Sequence, residues 1–335
     1  QGHGLAEDSV VGILPLFHVY GMTGVMNLGV QLAATVVLLP RLDIKMLVDA
    51  IQQERTTFFL GVPALFMAIN NYPGVEQIDL TSIKACFSGG APIPVPVLEE
   101  FETRTGSRIA EAYGMTEASS VTHVNPRRGL RKFGSIGVPI LGTDAKVMDA
   151  DNDAHEMSVG EPGELWVKGP QVMQGYWNQS EDTAQVLTED GWLRTGDIAT
   201  TDADGYFYIV DRKKDLVLTA GLNVYPREVE DVLRQHPKVA EVAVIGLPDK
   251  VRGERVVAQV VLESGETATA VELRTFCREN LAHYKVPRAV VFRDELPMSI
   301  AGKVLRRVVR EEALASLAAH VDGSADDEIE GPESG

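Results

Sequence analysis

Cysteine is scarce in this chain: Cys86 and Cys277 are the two thiols among 335 residues, and they lie far apart in sequence. That excludes a disulfide framework and a cysteine metal site, and it suits a reducing compartment such as the cytosol. Basic charge is also short, with 31 Lys and Arg against 48 Asp and Glu and a formal net charge of −17. Binding a phosphate backbone needs clustered Lys and Arg, so nonspecific nucleic-acid binding is excluded as a function class. Long apolar runs are missing too. The most apolar stretch, residues 21–39, is interrupted by Thr23, Asn27, Gln31 and Thr35, whereas a membrane helix needs about 20 predominantly apolar residues. It reads as a buried helix followed by a strand. The chain opens at Gln1 without a methionine, a charged n-region or an apolar h-region, so no signal peptide is expected.

What is present sorts into regions. Residues 321–335 hold six acidic residues and no basic one, with Gly, Ser and Pro between them, so residues 319–335 are expected to form a disordered, solvated acidic tail. The length exceeds the roughly 250–300 residues at which single cores stop growing, so two domains are expected. Short β-branched runs at 10–14 and 35–38 flank an apolar, helix-length segment, which is a βαβ rhythm. It repeats, with helices expected at 45–54, 63–70 and 95–104 and strands at 57–60, 84–88 and 108–112. Such alternation implies a mainly parallel sheet covered on both faces, which binds ligands at the carboxyl ends of its strands.

After Arg131 the pattern changes to short strands at 144–148, 164–168, 197–201 and 206–210, the last two joined by Asp202-Ala203-Asp204-Gly205; this predicts a small antiparallel sheet. Beyond Asp211 come helices at 227–235, 271–280 and 306–318 and strands at 239–245, 256–262 and 289–292. The fold class is therefore α/β. A mainly parallel sheet with helices (1–130) and a β-rich part (131–211) form a large domain, and a small α+β domain (212–318) follows.

Several local patterns could carry chemistry. In Ser88-Gly89-Gly90-Ala91-Pro92 the missing side chains let a ligand approach the backbone, though a tight turn explains the glycines as well. In Tyr113-Gly114-Met115-Thr116-Glu117 a hydroxyl and a carboxylate could meet a phosphate oxygen and Mg²⁺; the ordinary reading is a helix entry capped by Thr116. Asp197, in Trp192-Leu193-Arg194-Thr195-Gly196-Asp197, could accept both hydroxyls of a ribose or be a solvent-facing turn aspartate. Asp211-Arg212-Lys213-Lys214-Asp215 is a run of five charges, by composition an exposed edge or linker. Lys303 ends the loop 296–303 ahead of an Arg-rich helix start at Arg306, and a loop lysine can act as a point charge on a phosphate or carboxylate, although most do not. His18, beside Phe17 and Tyr20 at the end of an apolar strand, reads as a hydrogen-bonded core histidine.

In their order and spacing, segments 14–21, 88–92, 113–117, 191–197 with 211–226, and 297–303 resemble the signature segments of the adenylate-forming superfamily. That superfamily contains acyl-CoA synthetases, firefly luciferase and the adenylation domains of peptide synthetases. The resemblance covers residue 10 to about 318. Segments 211–230, Thr275-Phe276-Cys277-Arg278, Tyr284-Lys285-Val286-Pro287 and 292–297 are most similar to bacterial long-chain fatty acid–CoA ligases.

The resemblance implies a large AMP-binding domain followed by a mobile C-terminal domain. It implies that Gly89, Gly90 and Ala91 face one side of an adenine while Glu111, Ala112, Tyr113 and Gly114 line the other. Thr116 would contact a phosphate, Glu117 would hold Mg²⁺, and Asp197 would bind the ribose with Arg212 assisting. Lys214 matches the hinge, Gly221 the loop that admits the pantetheine of CoA, and Lys303 the lysine that bridges the carboxylate substrate and the α-phosphate. His18 matches a residue at the entrance of the acyl pocket. The implied cofactors are ATP, released as AMP, with Mg²⁺ and CoA. The implied partner is a fatty acid or other carboxylic acid, in the cytoplasm, with contact to a membrane surface left open.

Ala112 stands where the family usually has glycine, and Leu218 where some relatives have a lysine. No Ser/Thr/Gly-rich phosphate loop ending in lysine precedes Val10, so a truncated form without the family's N-terminal subdomain is expected. Two other functions stay open: an acyl-AMP ligase or adenylation module serving a carrier protein, and a non-catalytic nucleotide-binding remnant.

Overall fold

β1 (Ser9–Gly12) is buried at all four positions, as a central parallel strand covered on both faces must be. In the computed structural model, which describes residues 8–299 and 304–323 and the side chains up to residue 317, β1 lies within a seven-stranded sheet. β2 (Thr35–Leu38), β3 (Phe58–Gly61), β4 (Ala85–Gly89) and β5 (Ile109–Tyr113) join it in parallel. β6 (His123–Val124) and β7 (Val138–Pro139) extend it antiparallel, in the order β2-β1-β3-β4-β5-β6-β7.

The expected helices form within one or two residues of their sequence signals. Ile44–Gln53 starts on Asp43, whose carboxylate accepts from the Met46 amide. Pro63–Asn70 has its proline in the first turn, and Val95–Thr105 ends on Gly106 in the left-handed region. Phe59, Phe66 and Phe101 are fully buried and pack ring to ring, with centroids 4.9–5.9 Å apart.

The stretch read as a buried helix and strand departs from expectation. Residues 19–31 are helical, widening to a π-helical turn over Met22–Asn27. Only Gly21, Val25 and Gly29 of this helix are buried, while Met22, Met26 and Val30 are exposed. β2 is the terminal strand in the sheet order and is half exposed. An apolar run looks the same in sequence whether one face or both are covered.

β8 (Asp144–Met148), β9 (Gly163–Lys168), β10 (Leu193–Thr201) and β11 (Phe207–Arg212) form a second sheet in the order β11-β10-β9-β8, antiparallel where β9 meets β8 and β10. The chain divides into two units, Gln1–Ile209 and Val210–Gly335.

In the second unit, β12 (Val217–Thr219) and β13 (Leu222–Val224) form a hairpin that sequence reading did not anticipate. β14 (Val239–Asp249) and β15 (Gly253–Leu262) pair antiparallel along their length, and β16 (Ala289–Phe292) runs parallel to β15. Alternate residues of β14 serve two cores. Val242 and Val244 pack with Val229, Leu233 and Leu273 of the helices Pro226–Leu233 and Ala270–Asn280. Ala243 and Ile245 pack with Val309 and Ala313 of the helix Arg306–Gly323. That helix runs five residues past its expected end at 318, because the preceding Ala- and Leu-rich turns favour helix. The rest of the expected tail, 324–335, lies outside the described residues.

Among the described residues no helix is long and apolar enough to cross a membrane.

Candidate active site

Register places two of the expected segments side by side. β4 and β5 pair in parallel with Ser88 opposite Glu111 and Gly89 opposite Ala112, so the loops that leave their carboxyl ends are neighbours. Gly90 turns the chain at φ +87°, and Gly90 and Ala91 are exposed. Gly89 is buried, and a Cβ there would lie 3.2 Å from the ring of Tyr20. The close neighbour is thus an aromatic side chain of the helix 19–31. The Tyr20 hydroxyl donates to the Phe87 carbonyl at 3.1 Å, and burial raises its pKa far above the ordinary tyrosine value.

Beyond β5, Gly114 has no room for a side chain, since a Cβ would sit 1.4 Å from the Ser120 carbonyl oxygen. Strand alternation puts Glu111 and Tyr113 on one face and Ala112 on the other. The buried Glu111 carboxylate accepts from Asn125 Nδ2 at 3.4 Å. Asn125, itself fully buried, also donates to the Lys132 carbonyl at 2.7 Å and accepts from the Lys132 amide, fixing the return of the chain.

Tyr113 and Asp197 meet directly: the phenol donates to Asp197 Oδ2 at 2.6 Å across 84 residues of sequence. Asp197 is 9% exposed and does not begin a strand, as expected from sequence, but sits inside β10 within an irregularity between Arg194 and Ile198. Arg194 faces Trp166 while Ile198 faces Glu164. The extra residues are stitched in place by three hydrogen bonds. Thr195 Oγ1 donates to the Leu165 carbonyl at 2.7 Å and accepts from the Asp197 amide at 3.1 Å, and the Gly196 amide donates to Glu164 at 3.1 Å. A bulge of this kind re-aims a side chain, and here the carboxylate reaches Tyr113. The solvent-facing turn reading of Asp197 is therefore excluded.

Thr116 is exposed and opens the 3₁₀ turn Thr116–Ala118, which is entered at Met115 without a side-chain cap. The helix-cap reading of Thr116 fails accordingly. Glu117 Oε1 accepts from the Tyr176 hydroxyl at 2.9 Å, and the Met173 amide donates to the Glu117 carbonyl at 2.8 Å. Burial and the Glu117 carboxylate together push the Tyr176 hydroxyl up to about 12. Among the described residues no cluster of three or more His, Cys, Asp or Glu surrounds Glu117. One carboxylate fits Mg²⁺, which keeps several waters and is usually held by one or two carboxylates plus substrate phosphates.

His18 is exposed, and its Nδ1 accepts from the Tyr20 amide at 3.1 Å, capping the helix 19–31. The core reading of His18 is overturned, because the strand ends at Gly12 and the chain has already turned outward. Thr23 Oγ1, on the same helix, donates to the Ser119 carbonyl at 3.4 Å beside the Thr116 turn.

In the second unit the charge run is not uniformly solvated. Arg212 and Lys214 are exposed, but Asp211 is only 3% exposed. Burial raises the Asp211 pKa, and Arg306 together with the Arg227 and Arg212 amides opposes that rise. Ala220 and Gly221 take φ +52° and +78° at the exposed tip of the β12–β13 hairpin. Lys303 lies outside the described residues.

Sequence reasoning missed Tyr20, Tyr176 and Thr195. Gly196, directly ahead of the expected strand 197–201, was the available signal for the bulge.

A chain with a glycine loop and a Tyr–Asp pair at the carboxyl ends of a parallel sheet, followed by a small α+β unit, has the architecture of adenylate-forming enzymes. The AMP-binding enzyme model matches residues 1–177 and the AMP-binding enzyme C-terminal domain model matches 228–303, and the chain belongs to that family. It is 47% identical over 305 residues to the long-chain-fatty-acid–CoA ligase of Bacillus subtilis (strain 168), covering 91% of this chain and 54% of that protein. It superposes on ATP-bound MatB from Rhodopseudomonas palustris with a TM-score of 0.84 at 34% identity, covering 91% of this chain and 60% of that one. The Bacillus subtilis o-succinylbenzoate CoA synthetase in complex with its acyl-adenylate gives 0.79 at 33% identity, with 90% and 60% covered. The chain spans about half the length of the curated relatives it matches.

Proposed function

We propose that this chain contributes to an AMP-forming fatty acyl-CoA ligase, which converts a fatty acid and ATP to acyl-AMP and then transfers the acyl group to CoA. The observation that carries this reading is the Tyr113–Asp197 hydrogen bond at the carboxyl end of β5. It pre-orients a carboxylate as a ribose acceptor at the end of β5, whose neighbour β4 leads into the exposed Gly90 and Ala91. Its likeness to a long-chain-fatty-acid–CoA ligase supports the acid class, and the acyl-adenylate in a solved relative supports the intermediate.

Gly89, Gly90 and Ala91 take one side of the adenine, and the β5 end from Glu111 to Gly114 takes the other. Asp197 accepts the ribose hydroxyls, with Arg212 assisting. Thr116 is exposed to donate to a phosphate oxygen. Glu117 holds Mg²⁺, which screens the negative charge that builds as one anion attacks another. Tyr176 keeps the Glu117 carboxylate oriented. Lys303 neutralises the same charge from the second unit, and Lys214 is the hinge that withdraws it once acyl-AMP has formed. The Gly221 hairpin tip then admits pantetheine, and His18 stands at the acyl entrance.

The test incubates the protein with ATP, Mg²⁺ and a series of fatty acids and follows pyrophosphate release. The expected result is release that depends on acid, with acyl-CoA formed when CoA is added. No release with any carboxylic acid overturns the reading. Transfer to a phosphopantetheinylated carrier protein but not to CoA replaces the acceptor.

A further inference from the structure

The β12–β13 hairpin is short and turns tightly. It pairs Val217 with Val224, Leu218 with Asn223 and Thr219 with Leu222, and its tip holds Ala220 and Gly221 at positive φ. Glycine takes that conformation at little steric cost, whereas an alanine is strained there. A two-stranded hairpin is marginal by itself, so neighbouring chain has to hold this one in place.

That neighbour is the turn between β14 and β15. Thr219 lies opposite Gly253, and the Ala220 amide donates to the Arg252 carbonyl at 2.8 Å. The turn is itself fixed, since Asp249 Oδ1 accepts from the Val251 and Arg252 amides at 3.0 Å each. The next contact comes from a side chain: the Leu218 amide donates to Glu254 Oε2 at 3.0 Å. The other oxygen, Oε1, accepts from Arg310 Nη2 at 3.1 Å, and Arg310 Nε donates to the Gly246 carbonyl at 2.9 Å. Gly246 leaves room for this arrangement, because a Cβ there would lie 3.0–3.1 Å from the Glu254 carboxylate. One carboxylate thus ties the hairpin to β15 and to the helix Arg306–Gly323, and an ionised acceptor bonds an amide more strongly than a neutral one.

We propose that Glu254 is a positioning residue that fixes the β12–β13 hairpin for the thioester step. The proposal rests on the reading of the chain as an acyl-CoA ligase, in which the Gly221 tip admits pantetheine. Glu254 acts on that step only through the Leu218 amide. Leu218, Glu254 and Arg310 all lie beyond Lys214 within the second unit, so a turn at that hinge leaves the anchor intact. A purely structural ion pair would cost stability and lower both half-reactions alike.

Glu254→Met keeps the length of the side chain and removes both acceptors, and it tests the proposal by backbone hydrogen exchange and by separate half-reaction assays. Exchange is expected to rise about tenfold or more in 217–224, with 242–245 of β14 unchanged. In thioester formation from supplied acyl-AMP, kcat/KM for CoA falls about tenfold, while acyl-AMP formation stays within about twofold of the wild type. Glu254→Gln, which still offers one oxygen to the Leu218 amide, restores part of the loss. Gly246→Ala displaces the carboxylate without touching the hairpin, shifts the same readouts in the same direction by a smaller factor and serves if Glu254→Met does not fold. Unchanged exchange in 217–224, undiminished thioester formation, or equal loss of both half-reactions overturns the proposal. If the wild-type protein transfers no acyl group from supplied acyl-AMP to CoA, the ligase reading falls, and exchange in 217–224 still decides whether Glu254 anchors the hairpin.

Discussion

Asp197 shows how much of a side chain's role is set by its neighbours' backbone. Its carboxylate reaches Tyr113 because Thr195 and Gly196 fold two extra residues into β10. Tyr113→Phe removes the donor and leaves the ring, so the carboxylate loses a charge-assisted hydrogen bond. The KM for ATP is expected to rise about tenfold with kcat within about twofold, which steady-state kinetics with varied ATP would measure. An unchanged KM would remove Tyr113 from nucleotide binding. At Gly114 sterics decide. A methyl group placed 1.4 Å from the Ser120 carbonyl forces the backbone apart, so Gly114→Ala is expected to lower stability by more than about 3 kcal/mol in a denaturant titration. The sequence marked Asp197 and Gly114 as special, but it could not tell a buried strand carboxylate from a solvent-facing turn residue. A partner 84 positions away excludes the turn.

Among the elements, β6 carries a consequence that sequence reading did not reach. His123 is fully buried on β6; its Nδ1 lies 2.9 Å from Thr122 Oγ1, and its ring stands edge-on to Phe207 at 4.8 Å. Burial pushes its pKa down to about 3, so the folded protein keeps it neutral while the unfolded chain protonates it near 6.5. Below 6.5 the unfolded state therefore binds the extra proton. The stability that is fully present above 6.5 is lost as pH falls toward the folded value, with a limiting slope of about 1.4 kcal/mol per pH unit. Denaturant titrations between pH 6.5 and 5, above most carboxylate titrations, should show this slope in the wild type and a flatter one in His123→Phe. Equal slopes would mean that His123 does not carry the dependence. The same scale explains the helix 19–31. Its apolar residues were legible, but whether Met22, Met26 and Val30 meet protein or water depends on what lies against that face.

For the whole molecule, the chain's two units each carry part of the proposed chemistry, and Lys303→Ala tests that division. Acyl-AMP formation is expected to fall about a hundredfold or more while thioester formation from supplied acyl-AMP stays largely intact, as single-turnover assays of each step would show. Equal losses in both steps would contradict a lysine that serves only the first.

The sequence by itself determined the alternation of strands and helices, the turn residues between them and the order of the signature segments, because these are written in local periodicity and in residue chemistry a few positions apart. Only the tertiary structure decided that Tyr20 fills the space left by Gly89, that a bulge turns Asp197 toward Tyr113, and that Arg306 holds Asp211, Asp215 and Glu230 together. Each of these joins residues tens of positions apart. Such contacts form only when the sheets and helices have packed, and no local pattern in the chain encodes them.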